Sequence, residues 1–250
     1  MALIDYYISQ ISQDKLADKQ GGTHSCFLFQ SYALLKGIYN KTDMPTLIEK
    51  SEELKKQGVS VVPTLDYKIE STHPEYPPLF KGYVLQRKAK GTELYPESFA
   101  KLSAEEYQSR IDELAQRPQK FFDKYVSDWI KINKSGLVID PSKSSNFFYT
   151  PEEISFIDLN VSHRKDNLKS AFMESSAVLF NNGAYYKCQD KEKHKIILNK
   201  MVNAFIKQGE NIDTIKQTAQ NMWPEIAQYA LKDIQQQPAY QTQSFGKEIL

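Results

Sequence analysis

With 250 residues, of which 40% are hydrophobic and 25% are charged, the chain is long enough to bury a sizeable core as one globular unit or two small lobes. Its formal net charge of +1 argues against nucleic acid as a partner, and no apolar run approaches the length of a membrane span. The N-terminus lacks the basic start and apolar centre of a cleaved signal peptide, and the two distant cysteines, Cys26 and Cys188, argue against a disulfide scaffold, so we expect a cytoplasmic protein in a reducing compartment.

The first third of the chain predicts strands around one helix. The runs HSCFLF (24–29) and YALLKGIY (32–39) are short, rich in aromatic and aliphatic residues, and separated by two polar residues, which favours adjacent antiparallel strands. The segment 44–58 predicts a helix, with Asp43 as a candidate cap and Gly58 as its end. Two further strands are predicted in VSVVPTLDY and GYVLQRKA.

Beyond Gly91 the sequence becomes mostly helical. Ser103 and Glu106 have the spacing of a capping box, and apolar residues recur at helical spacing over 121–130, which predicts a buried helix. Three more helical segments are predicted at 166–180, 193–209 and 211–237. The tail after them is polar.

One stretch in this half, GLVIDPSKSSNFFYTPEEISFIDLN (136–160), instead predicts two short strands around a loop. The first apolar run ends in Asp140, the second ends in Asp158, and Asn146 lies between them. An ordinary turn after Asp140 and a helix cap at Asp158 would explain the same residues without any chemistry.

The order of elements and this acidic stretch together resemble the protein-kinase-like fold. The resemblance implies an α+β, bilobal molecule, with a small antiparallel-sheet N-lobe that carries one main helix and a mostly helical C-lobe. We expect the N-lobe at 1–86, a hinge at 87–91, and the C-lobe with the catalytic and metal-binding loops at 92–250. ATP and Mg²⁺ (or Mn²⁺) are the implied cofactors.

The resemblance assigns roles to the acidic stretch. Asp140 would orient the attacking hydroxyl and accept its proton. Asn146 and Asp158 would supply oxygen ligands for the metal that offsets the charge of the triphosphate.

The resemblance also implies an ion pair in the N-lobe. Lys36 would reach the α and β phosphates and pair with a glutamate of the following helix. Glu49, Glu52 and Glu53 are the candidates; Glu49 is preferred, and Glu53, one turn along the same face, is the second choice. An ammonium at the end of an apolar strand needs such a partner because an unpaired buried charge is costly.

Further nucleotide contacts are implied by position. A glycine-rich turn at Gly21, Gly22 and Ser25 would lie over the phosphates. Backbone groups around Gln86, Arg87 and Lys88 would bind the adenine edge. The apolar adenine slot would draw on Leu28, Ala33 or Leu85.

Departures from the family pattern leave three functions open. The familiar His-Arg-Asp is replaced by VID, the metal motif is DLN, and Asp140 and Asn146 are six positions apart where the family has five. With no visible activation segment, the chain resembles compact bacterial kinases that are delivered into host cells without a cleaved signal peptide. The leading expectation is a protein kinase of this effector type, with a host protein as substrate and an activating cofactor or partner. The alternatives are a small-molecule kinase and an inactive, partner-binding pseudokinase.

Overall fold

The fold, taken from a computed structural model, joins an antiparallel sheet at the N-terminal end to a set of helices. The structure describes residues 2–11, 17–20, 25–95, 102–162, 168–180, 185–186, 188 and 191–230. The predicted fold class, α+β with a small antiparallel sheet followed by a mostly helical part, is confirmed.

The N-terminal part is a five-stranded sheet with two helices. Its elements are α1 (Leu3–Ser9), β1 (Lys19–Gln20), β2 (Ser25–Leu28), β3 (Tyr32–Asn40), α2 (Met44–Lys56), β4 (Thr64–Thr72) and β5 (Leu79–Arg87). The strand order is β1-β2-β3-β5-β4, and all pairs are antiparallel. The two runs predicted to be neighbours are therefore β2 and β3. The helix predicted after Asp43 is α2, and Gly58 follows it with a φ of +77°, which glycine adopts without strain.

The C-terminal part is mostly helical. Its helices are α3 (Ala104–Gln116), α4 (Gln119–Lys134), α5 (Leu168–Phe180), α6 (Glu192–Lys207), α7 (Ile212–Met222) and α8 (Pro224–Ala230). The segment predicted as one helix from 211 is divided into α7 and α8, because Pro224 has no N–H to continue the first helix and suits the first turn of the second. No helix in the described ranges is long and apolar enough to cross a membrane.

Two small sheets lie within this part and carry the acidic stretch. The strands are β6 (Thr92–Glu93), β7 (Leu137–Val138), β8 (Phe147–Tyr149), β9 (Ile154–Phe156) and β10 (Asn160–Val161). The order β6-β8-β9 forms one sheet, and β7 pairs with β10. Aromatic side chains of α4 hold the β8–β9 hairpin, since Trp129 stacks on Phe147 at 5.7 Å and Tyr125 stacks on Phe156 at 5.8 Å.

The segment after α2 ties the five-stranded sheet to this hairpin. The N–H of Val62 donates to the carbonyl of Phe156 at 2.9 Å, and the N–H of Phe156 donates to the carbonyl of Ser60 at 2.8 Å. The N–H of Ser60 donates to the buried carboxylate of Asp128 on α4 at 2.9 Å. Because of these bonds, the position of the sheet relative to the acidic stretch is fixed.

Candidate active site

A cavity of about 360 Å³ lies between the five-stranded sheet and the β6–β8–β9 sheet. The sheet side contributes Cys26, Leu28, Ala33, Leu35, Gln86 and Arg87, and the connector to β6 contributes Lys88, Ala89 and Gly91. The opposite side contributes Glu93, Ser145, Asn146, Phe148, Ile157 and Asp158. Most of the wall is apolar. Its polar side chains come from the loop before β8, from Asp158, from the end of β5 with Lys88, and from Glu93.

Asp158 lies in the cavity wall with an unusual backbone conformation. Its φ is +54°, in the left-handed region that residues other than glycine rarely adopt and that occurs preferentially at functional sites. The Nδ2 of Asn160 donates to the Asp158 carbonyl at 3.0 Å and supports this turn between β9 and β10. Burial, and after it the nearby Asp158 carboxylate, raise the pKa of Tyr39, so this phenol stays neutral beside the site.

Asn146 lies in the same wall and is 3% exposed. It ends a 3₁₀ turn, Ser144–Asn146, directly before β8. Its Nδ2 donates to the Asp140 carbonyl at 3.3 Å, and its own carbonyl accepts from the N–H of Ile157 at 2.9 Å. The β8–β9 hairpin therefore brings Asn146 and Asp158 to one side of the cavity.

The chemistry of these two residues fits a magnesium ion shared with a phosphate ligand. Amide and carboxylate oxygens are suitable donors, and Mg²⁺ is usually held by one or two carboxylates together with substrate phosphates. Within the described ranges, no three His, Cys, Asp or Glu side chains form a cluster that would hold a metal by itself.

Asp140 is not among the described residues that line the cavity, and it contacts the site through its carbonyl, which accepts from the Asn146 amide. Its Oδ1 accepts hydrogen bonds from the N–H and the hydroxyl of Ser142 at 3.0 and 2.6 Å, and the Lys143 ammonium is 3.7 Å from its Oδ2. Burial acts to raise the pKa of Asp140, but the two bonds from Ser142 and the charge of Lys143 outweigh it and lower this pKa below its ordinary value. Asp140 is therefore an ionised carboxylate at neutral pH.

The predicted ion pair between Lys36 and Glu49 is wrong. The Nζ of Lys36 donates to the hydroxyl of Tyr83 at 3.0 Å and lies 3.4 Å from the Glu70 carboxylate, on the face of the sheet away from the cavity. Glu49 is exposed on α2, and Glu53 is exposed and accepts from Gln57.

Strand alternation explains this correction. Ala33 and Leu35 line the cavity, so Lys36 must face the opposite side of β3, where the buried Leu34 and Tyr83 form a separate apolar cluster. The side chain in the cavity at this point is therefore Leu35. The sequence contained the signal, because Ala33 and Lys36 are three positions apart and two such strand residues cannot share a face.

The same alternation separates other predicted contacts. Ser25 is the register partner of Lys36, so its side chain shares the outer face, and Cys26 takes its place in the cavity wall. Leu85 is fully buried in the outer cluster and is not part of the apolar slot. Leu28 and Ala33 do line the cavity. The predicted turn at Gly21 and Gly22 lies outside the described residues.

The three residues predicted to bind the adenine edge, Gln86, Arg87 and Lys88, line the cavity where β5 ends and the chain crosses to β6. The N–H of Lys88 already donates to the carbonyl of Ser31 at 2.9 Å. Any contact of the Lys88 backbone with a base would therefore use its carbonyl. Cys26, Leu35 and Glu93 are cavity residues that the sequence reasoning did not name.

Comparison with known proteins gives likeness in structure only. No protein-family model and no curated protein matches the chain. A choline/ethanolamine kinase family protein from Mesorhizobium loti is 14% identical over 88% of this chain and 89% of its own, with a TM-score of 0.35. The Legionella pneumophila kinase Lpg2603, solved with bound IP6, is 15% identical over 89% of this chain and 81% of its own, with a TM-score of 0.38.

Proposed function

We propose that this chain is an ATP-dependent phosphotransferase that acts on a hydroxyl group of a protein. One observation carries the proposal: a cavity of about 360 Å³ between the sheet and the β6–β8–β9 sheet has Asn146 and Asp158 in its wall and the end of β5 beside it. Its volume lies in the range of about 300–1,000 Å³ that is usual for ligand pockets.

Each residue has a distinct role in this proposal. The Asp158 carboxylate and the Asn146 amide oxygen hold Mg²⁺ or Mn²⁺, which neutralises charge on the phosphates of ATP when it is bound. The Asp140 carboxylate, ionised at neutral pH, orients the acceptor hydroxyl and takes its proton. Positioning and charge compensation, rather than a covalent intermediate, would accelerate the transfer.

The acceptor is a Ser, Thr or Tyr hydroxyl of a host protein. The enzyme itself is a bacterial effector kinase, with an activating host factor as a further partner. The short chain between Asp158 and α5 supports this compact type. Transfer of label from ATP to a panel of host-cell proteins, sugars and aminoglycosides tests it. We expect labelled protein with the wild type and none with Asp140→Asn. Label on a sugar or aminoglycoside alone would show that the substrate is a small molecule and not a protein.

A second candidate function is a partner-binding module that holds a nucleotide without transferring phosphate. The observation in its favour is that Leu35, rather than a lysine, faces the cavity on β3, while Glu49 is exposed. Stabilisation by MgATP with no transfer to any acceptor, in the presence of host extract, would favour this candidate over the enzyme.

A further inference from the structure

We infer that the side chain of Gln86 selects the base of the nucleotide, an inference that rests on the function proposed above. Gln86 lies near the end of β5, is 6% exposed, and lines the cavity. Its register partner on β3 is Ala33, which lines the same cavity. Because paired residues of neighbouring strands share a face of the sheet, the Gln86 side chain lies on the cavity side.

The carboxamide of Gln86 is held in place by its neighbour on β4. Its Nε2 donates to Oγ1 of Thr64 at 3.2 Å, and Thr64 is itself 2% exposed. The N–H of Thr64 donates in turn to Oγ of Ser51 on α2 at 3.2 Å. This chain of contacts fixes the amide before any ligand binds, and such preorganisation favours selective binding.

The hydrogen-bonding groups of this amide suit adenine. A glutamine side chain carries two N–H donors and one acceptor oxygen, and Thr64 uses one of the donors. The second donor and the oxygen form an adjacent pair, which matches a ring nitrogen and the 6-amino group of adenine, and glutamine pairs with adenine in this bidentate way. Apolar side chains of the cavity wall such as Leu28 and Ile157 lower the local dielectric constant, which strengthens each hydrogen bond.

The Gln86 side chain is more important for recognition of the base because one nearby backbone N–H already has an acceptor. The N–H of Lys88 is bonded to Ser31, so recognition of the base edge falls more on Gln86. A purine that lacks the 6-amino group would leave the Gln86 oxygen facing no donor in a nearly dry site, and such a mismatch weakens binding.

The test compares magnesium complexes of ATP and of purine riboside 5′-triphosphate by isothermal titration calorimetry. We expect the wild type to bind ATP about tenfold more tightly than the analogue, from the loss of one good pair of bonds. Gln86→Met, which has a similar volume and no amide, should bind both equally. Gln57→Met, at the exposed end of α2, is the matched control and should keep the wild-type ratio.

A second variant keeps the test informative if Gln86→Met does not fold. Thr64→Val removes the hydroxyl that orients the amide, and it should reduce the ratio while Gln86 is still present. Equal binding of both nucleotides by the wild type, or an unchanged ratio in Gln86→Met, would overturn the inference and leave the proposed function standing. If the wild type binds neither nucleotide, the proposed function fails and this inference with it.

Discussion

At the scale of single residues, the face of a strand on which a side chain lies decides its role. Leu35 and Lys36 are neighbours in sequence, yet Leu35 lines the cavity and Lys36 binds Tyr83 and Glu70 on the other side of the sheet. The Lys36 side chain is 35% exposed there. Its function is therefore to join β3, β4 and β5 at the surface.

This placement predicts that Lys36→Met leaves MgATP affinity unchanged. The variant loses one half-exposed ion pair, so its free energy of unfolding should fall by no more than about 1 kcal/mol. Leu35→Lys is the matched comparison. It puts an ammonium in the cavity, where it would attract the phosphates, and it should increase the affinity. Calorimetric titration of both variants tests the assignment. Loss of binding in Lys36→Met would show that the ammonium acts in the cavity.

The lowered pKa of Asp140 predicts a dependence of stability on pH. A carboxyl whose pKa is lower in the folded than in the unfolded state stabilises the fold above the unfolded value, about 3.9, and this stabilisation is lost as the pH falls through the folded value. The wild type should therefore be more stable than Asp140→Asn at pH 7, and the difference should shrink below about pH 4. Urea unfolding of both proteins from pH 7 to pH 3 measures it. A difference in the free energy of unfolding that does not change with pH would show that it does not come from the lowered pKa of Asp140.

Sequence reasoning singled out Asn146 and Asp158, which lie in the cavity wall, but it did not give the face of β3 that Lys36 takes, for a physical reason. Asp140 and Asp158 each end a short apolar run, and Asn146 lies in the polar loop between them, so local sequence is enough to single them out. The partner of Lys36 depends on which face of β3 meets the cavity. The apolar run around the lysine does not show on which face of β3 its side chain lies. Only the alternation of side chains, counted from Ala33, predicts that face.

At the scale of elements, local signals placed most helices and strands correctly. The helix α3 begins as a capping box, in which the Glu106 N–H donates to Ser103 Oγ at 3.1 Å and the Ser103 N–H donates to the Glu106 carboxylate at 3.0 Å. The helix α1 was not predicted, because it is short and gains its stability from packing its buried Ile4 on the outer face of the sheet.

For α3 we predict that Ser103→Ala lowers the free energy of unfolding by about 1 kcal/mol, since one N–H of the first turn loses its acceptor. Glu106→Gln should have almost no effect, because a glutamine completes the same box. Urea denaturation of both variants tests the role of the cap. Equal stability of wild type and Ser103→Ala would mean that Ser103 does not stabilise α3.

At the scale of the whole molecule, one apolar core extends from the sheet to the last helices. It includes Phe80 and Val84 of β5, Trp129 of α4 and Phe205 of α6. Asp128, 2% exposed, lies at the junction, where it accepts from the Ser60 N–H and from the Lys124 ammonium at 2.7 Å. This continuity predicts that the described parts unfold together.

Asp128→Ala should therefore destabilise the molecule as a unit. It leaves the buried Ser60 N–H without an acceptor, at a cost of about 1–3 kcal/mol. Asp128→Asn keeps an acceptor oxygen and should lose less. Thermal unfolding followed by calorimetry should show one transition for each protein, at a lower temperature for Asp128→Ala. Two separate transitions would show that the sheet and the helices do not share a core.

The central claim, that the cavity holds a nucleotide through a metal at Asp158, is tested most directly by MgATP in a thermal-shift experiment. A ligand at a hundred times its Kd adds about 2.7 kcal/mol to the free energy of unfolding. Asp158→Asn should fold normally, since asparagine tolerates the φ of +54°, but it lacks the charge that the metal needs. The control Asp213→Asn, exposed at the start of α7, should behave as the wild type. We predict that MgATP raises the Tm of the wild type and of the control and leaves that of Asp158→Asn unchanged; an equal rise in all three proteins would contradict the account.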